Sequence, residues 1–217
     1  MNVTRTSPSD PSETTLYLLR HTDCRQDAVK RYIGQIDLPL NKTGMEQALC
    51  LSRELKDISF QRIYCSDLKR SYETARIVSS GREDLLCPLA ALREINLGQW
   101  DGLPVEEVSR RFPEEYRMRG IDPANYRPPG GESFNDLIVR VIPQYLKLIK
   151  ASRGNILIVG HAGVNRVILC NLLDMPLLHL FRLDQDYGGL NVITRAGGCL
   201  KLLRMNAMLL PGFSAWR

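Results

Sequence analysis

Asn155-Ile-Leu-Ile-Val159 runs straight into Gly160-His161-Ala162-Gly163. Four consecutive aliphatic side chains closed by glycine suit a short strand covered on both faces, the kind found in parallel sheets. The residues after it place Val164, Val167, Ile168 and Leu172 at helical spacing, so the strand feeds a helix. Working outward, Thr15–Leu19 is a second apolar run that stops at Arg20-His21, and 62–65 is a third that leads into Ser66-Asp67. Near the end, 190–194 and 199–203 flank Ala196-Gly197-Gly198 and read as two strands joined by a turn. Strands alternating with helices predict an α/β fold: a single-domain three-layer sandwich, with a mostly parallel sheet and helices on both faces.

Helix signals fill the intervals. Thr43 and Glu46 form a T-x-x-E capping box, and Ala48, Leu51, Leu55 and Ile58 give the following helix its core face. Ser66 or Asp67 can cap a helix that buries Leu68, Tyr72, Ala75 and Val78. Pro104 suits a helix start, and 121–129 reads as loop. Ser133 and Asp136 can cap a longer helix with Phe134, Leu137, Ile138, Val141 and Tyr145 inward, where Pro143 predicts a kink or a break.

The 217 residues suffice for one domain with a full hydrophobic core. Residues 1–14, rich in Ser, Thr and Pro, read as a flexible tail, and 15–217 as the domain. No apolar run reaches the ~20 residues of a membrane span, and the first residues lack the apolar core of a signal peptide. The default expectation is a cytoplasmic protein without membrane partners. Six scattered cysteines without a C-x-x-C pair suggest neither a disulfide framework nor a zinc site; Cys65 and Cys170 read as buried thiols. The net charge of +5 is spread along the chain, without the basic clusters and interleaved aromatics of a nucleic-acid binder. The densest basic run, Arg110, Arg111, Arg117 and Arg119, is interrupted by Glu114 and Glu115 and reads as a solvated helix face.

The chain has three histidines, and two of them, His21 and His161, directly follow strands of the same expected sheet. Ligands of open α/β sheets bind beyond the carboxyl ends of the strands, which would bring the two imidazoles together. Arg20 precedes His21, and Arg70 falls in the first turn of the helix after the 62–65 strand. Two guanidiniums can fork onto phosphoryl oxygens, and a helix starting beyond His161 adds free N–H groups and a positive dipole end. Such a pocket suits a tetrahedral dianion. Taken singly, each feature has a plainer reading: His161 as a satisfied core histidine, Arg70 as a partner of Glu73 or Glu46, Glu94 as an ordinary carboxylate.

Six ordered motifs resemble those of the histidine phosphatase, or phosphoglycerate mutase-like, superfamily over nearly the whole chain. They are L-Y-L-L-R-H-T (Leu16–Thr22), G-Q-I-D-L-P-L-N-K-T-G (Gly34–Gly44), S-D-L-K-R-S-Y-E-T-A (Ser66–Ala75), L-R-E-I-N-L-G-Q-W-D-G (Leu92–Gly102), P-G-G-E-S (Pro129–Ser133) and V-G-H-A-G-V (Val159–Val164). The resemblance implies a metal-independent phosphatase acting on a small phosphorylated metabolite, with no cofactor. His21 would accept the phosphoryl group; Arg20, Arg70, His161 and Ala162 would bind its oxygens; Glu94 would be the general acid and base. Thr22 and Asp27 are expected at the substrate. The short interval from Gly102 to Gly131 resembles the phosphatase branch, and R-Y-I-G-Q-I-D (Arg31–Asp37) leans toward its α-ribazole phosphatase kind.

Departures from the family pattern fall at the entrance. Thr22 stands where glycine is usual, Cys24 where threonine is usual, and Asp27 where many relatives have an asparagine that donates to phosphate. An ionised carboxylate cannot donate and would repel a dianion, so either Arg25, Arg31 or another cation neutralises Asp27 or the loop points away. The 23–33 loop is therefore expected to set substrate preference. Two rival readings are a phosphoglycerate mutase using the same phosphohistidine and a non-catalytic phosphate-binding module. A monomer and a homodimer both fit, with the apolar 205–216 segment docked on the core or on a partner.

Overall fold

The computed structural model describes residues 14–209. One six-stranded sheet organises them, with strand order β3-β2-β4-β1-β5-β6. The strands are β1 (Thr14–Arg20), β2 (Phe60–Cys65), β3 (Leu86–Pro88), β4 (Gly154–Gly160), β5 (Leu190–Ala196) and β6 (Cys199–Ala207). β1, β4, β2 and β3 are parallel, while β5 and β6 continue the sheet antiparallel beyond β1. The expected α/β sandwich holds. Leu16 and Leu18 of β1 with Ile156 and Ile158 of β4 pack into one core, and Leu19 with Leu157 and Val159 into the other. This two-residue alternation sends consecutive aliphatics to opposite faces, which is why both strands read as unbroken apolar runs.

Helices α1 (Lys42–Glu54) and α2 (Lys69–Ser79) cover one face; α5 (Phe134–Ala151) and α6 (Ala162–Leu172) cover the other. Two short helices, α3 (Val105–Arg111) and α4 (Pro113–Ile121), lie between. The cap of α1 is Asn41, whose side chain accepts from the Gly44 N–H, and not Thr43. Asn41 satisfies one of the orphan donors of the first turn, so the T-x-x-E signal points two residues too late. Tyr72 is half-exposed; α2 instead turns Arg70, Ser71, Thr74, Ala75 and Val78 inward. Its buried face is thus partly polar, because it borders the site.

α5 runs unbroken through Pro143. The proline lies on the solvent side, and the residue four before it, Val139, is 75% exposed, so water can satisfy the carbonyl that loses its partner. Ser133 and Asp136 form the full capping box of this helix. The basic run is corrected at one residue: Arg111 and Arg117 pair with Glu107 and Glu114 in solvent, but Arg119 is buried. Residues 1–13 of the expected 1–14 tail and the segment after Leu209 lie outside the described residues, whereas Thr14, expected in that tail, opens β1.

Candidate active site

The β1–β4 register pairs Leu19 with Val159 and Arg20 with Gly160. The next residues, His21 and His161, therefore emerge side by side beyond the sheet, with ring centroids 5.0 Å apart. The His21 backbone N–H donates to the Gly160 carbonyl (3.0 Å), which locks the two strand ends together. Both imidazoles are buried, at 4% and 0% exposure.

His21 Nδ1 lies 2.8 Å from the Thr22 carbonyl. A carbonyl only accepts, so the proton sits on Nδ1 and the lone pair on Nε2. Arg70 Nε donates to that Nε2 at 3.3 Å. Burial, then Arg70 and Arg20, hold the His21 pKa well below 6.5, so the ring is neutral and nucleophilic at pH 7. His161 is lowered well below 6.5 as well, by burial, then Arg70, His21 and Arg20. Neither of its ring nitrogens has a hydrogen-bond partner among the described residues. A buried polar group so placed calls for an acceptor, and an oxyanion between the two rings would provide one.

Arg70, fully buried at the start of α2, is aimed by two backbone carbonyls: Nη1 donates to Ile36 (2.7 Å) and Nη2 to Gly34 (2.6 Å). That loop is itself held by Asp101, whose carboxylate accepts from the Gly34, Gln35 and Ile36 N–H groups at 2.7, 2.8 and 2.8 Å. Gly34 is required because a Cβ would lie 2.7 Å from the Ile95 carbonyl oxygen. Arg20 is fixed on the other side. Its Nη1 donates to the Gln185 carbonyl (2.6 Å), and its guanidinium lies 3.7 Å over the Tyr187 ring.

Glu94, 7% exposed, accepts from the Ile95 N–H through Oε1 (2.9 Å) and from the Gly163 N–H through Oε2 (3.0 Å). The carboxyl thus sits on the first turn of α6, next to Ala162. Only glycine permits this approach, since a Cβ on Gly163 would be 2.4 Å from Glu94 Oε1. Thr22 is buried, with its hydroxyl 3.1 Å from that of Thr74. Asp27 is exposed and paired with Arg31 at 2.8 Å, while Arg25 is taken by Asp23.

Two cavities flank the imidazoles. One, about 510 Å³, has Glu94, Ala162, Arg119 and Arg166 in its wall; the other, about 700 Å³, is lined by Arg20, Arg25, Asp27 and Tyr187. Lys30, Arg31 and Ile33 border both, so the later part of the 23–33 loop lies between the two cavities. Positive charge converging on paired imidazoles with a carboxyl alongside is a constellation for moving a phosphoryl group. A family model described as histidine phosphatase superfamily (branch 1) matches residues 16–208. The chain belongs to this superfamily.

Its relatives are phosphatases. The chain is 30% identical over 200 residues, 90% of its own length and 98% of the other's, to an adenosylcobalamin/alpha-ribazole phosphatase of Salmonella typhimurium. It is 31% identical over 180 residues, covering 82% and 85%, to phosphoserine phosphatase 1 of Hydrogenobacter thermophilus. The crystal structure of the alpha-ribazole phosphatase from Shigella flexneri superposes with a TM-score of 0.83 at 29% identity, covering 89% of this chain and 96% of that one. The chain is accordingly a histidine phosphatase, a hydrolase of a family that acts without a metal ion.

In this histidine phosphatase the fold brings together His21, His161, Arg20, Arg70, Glu94 and Ala162, and leaves Asp27 at the rim. Sequence reasoning missed Tyr187, Asp101, Gly163, Arg119 and Arg166. Asp101 and Gly163 were inside quoted motifs, and the signal was their place beside a catalytic candidate. Tyr187 lies in D-Y-G-G just before β5, a loop with no periodic pattern to place it. No helix among the described residues is long and apolar enough to cross a membrane.

Proposed function

We propose that the chain hydrolyses a small phosphomonoester through a phosphohistidine on His21. The observation that carries this reading is the tautomer: Nδ1–H tied to the Thr22 carbonyl and the Nε2 lone pair facing Arg70. His21 Nε2 forms a bond to phosphorus as the phosphorus–oxygen bond to the leaving alcohol breaks. Glu94, in its protonated form, gives its proton to the departing oxygen. Arg70 turns its N–H from Nε2 to the phosphoryl oxygens, joined by Arg20, His161 and the backbone N–H of Ala162, and together they stabilise charge in the transition state. In the second half, water attacks phosphorus and gives its proton to Glu94, the phosphorus–nitrogen bond breaks, and inorganic phosphate leaves with His21 restored.

Support for an entrance loop that selects substrate comes from the Asp27–Arg31 pair, which removes the repulsion a lone carboxylate would exert. Reduced cysteines, six of them free, fit a cytoplasmic setting. The mechanism is tested by stopped-flow mixing with p-nitrophenyl phosphate, whose leaving group needs little acid assistance. Glu94→Gln should release a stoichiometric burst of nitrophenol followed by slow turnover, because dephosphorylation still needs the base. Burst-free kinetics together with undiminished steady-state turnover in Glu94→Gln would refute the assigned role.

A further inference from the structure

Arg140 of α5 spends every N–H of its guanidinium on the segment that carries Glu94 and on one carboxylate beside it. Nη1 donates to the carbonyls of Ala91 (3.0 Å) and Arg93 (2.9 Å), and Nη2 to the Glu94 carbonyl (3.3 Å). The remaining donors meet Glu132: Nε donates to Oε1 (3.0 Å) and Nη2 to Oε2 (2.8 Å). A guanidinium has no further donor to give. Helix side chains lean toward the N-terminus of their helix, so Arg140 reaches back to Glu132, which stands just ahead of the Ser133 cap.

Glu132 closes the arrangement. Its Oε2 also accepts from the Asn96 N–H (2.9 Å), and its own N–H donates to the Asn96 carbonyl (2.7 Å). The 91–96 backbone is thus held from α5 and from P-G-G-E-S, while the Glu94 carboxyl itself is held by the Ile95 and Gly163 N–H groups. The Glu132 carboxylate balances the Arg140 charge, and Arg140 is in the wall of neither cavity at the imidazoles. It is therefore not placed as a ligand for phosphate. What it fixes is position: an irregular loop has no ladder of its own, and a reacting group displaced by about 1 Å can lose 10²-fold in rate. Only the planar fork of an arginine spans several carbonyls and a carboxylate at once; an ammonium is a single point.

We propose that Arg140, braced by Glu132, is a positioning residue that holds the Glu94 carboxyl at the place from which the leaving oxygen departs. This rests on the proposed hydrolysis, because it takes Glu94 as the acid.

The test compares p-nitrophenyl phosphate, whose leaving group needs little acid, with propyl phosphate, whose alkoxide must be protonated as it leaves. Arg140→Gln should lower kcat/KM by about 10- to 100-fold for propyl phosphate and by no more than about threefold for p-nitrophenyl phosphate. Arg140→Lys should recover part of the propyl phosphate rate. Glu132→Gln, which keeps its shape and loses its charge, should show the same selective loss, and it carries the comparison should Arg140→Gln not fold. An arginine needed only for folding would lower both rates by one factor. Such a parallel loss, or an unchanged rate on propyl phosphate, overturns the proposal. Hydrogen exchange at the Gly163 amide, followed by NMR, separates this proposal from the hydrolysis reading. That N–H donates to Glu94 Oε2, so its protection reports where the carboxyl sits. Faster exchange in Arg140→Gln, with a wild-type enzyme that turns over neither ester, would sink the hydrolysis reading and keep the brace. Unchanged exchange sinks the brace.

Discussion

Asp101→Asn should cripple the enzyme from a residue that never touches phosphate. The carboxylate accepts three backbone N–H groups, from Gly34 through Oδ1 and from Gln35 and Ile36 through Oδ2. The carbonyls of Gly34 and Ile36 in turn orient Arg70, which faces His21 Nε2. An asparagine keeps at most the two bonds of one oxygen, now without charge assistance, and sets its NH2 against the remaining N–H. Losing one charge-assisted bond of about 1.5–3 kcal/mol and weakening two others, offset by solvent on this half-buried loop, gives roughly 2–3 kcal/mol. With an m-value of about 2–3 kcal/mol/M, the urea midpoint should fall by about 1 M. Because Arg70 loses its aim, kcat on p-nitrophenyl phosphate should also drop by about 10- to 100-fold under conditions where the variant is fully folded. A variant with an unchanged midpoint and activity within twofold of wild type would refute the relay from Asp101 through the loop to Arg70.

Gly163→Ala should separate activity from stability. A Cβ there meets Glu94 Oε1 at 2.4 Å and must displace the carboxyl, so kcat should fall by about 10²-fold for poor leaving groups, while the urea midpoint moves little because alanine is the better helix former; equal activity on poor leaving groups would show that Glu94 is not the acid. The pH dependence of stability follows from the two imidazoles. Both have folded-state pKa values below the unfolded value of about 6.5, so the unfolded chain binds more protons, and stability is full above about pH 6.5 and lost as pH falls toward the folded values. His161→Asn should flatten that decline in urea midpoints measured from pH 7.5 to 5; an unchanged slope would mean that His161 is not held neutral.

The alternation of short strands and helices was legible because the central strands are covered on both sides, which leaves an uninterrupted aliphatic run in 156–159 and a largely aliphatic one, broken by Tyr17, in 16–19. The meeting of His21 with His161 was legible for the same reason: each directly follows such a strand. Side chains that act through close approach were harder to see. Arg119 has Glu115 four residues before it, an arrangement that reads as a solvent-facing ion pair, yet the helix turns it into an aromatic cage that exists only once Tyr32, Trp100 and Phe134 converge from distant parts of the chain. Asn41 was missed as a cap because Thr43 and Glu46 offered a better-known local pattern. β3 was missed because three residues ending in Pro88 carry too little periodicity to register.

Covalent capture of the phosphoryl group on one imidazole nitrogen tests the account most directly. Enzyme quenched at alkaline pH within the first turnover of a 32P-labelled phosphomonoester, then digested and sequenced by mass spectrometry, should carry a single acid-labile phosphate on the peptide containing His21. The label should vanish in His21→Ala and persist longer in Glu94→Gln. Phosphate on any other residue, or full turnover by His21→Ala, would contradict it.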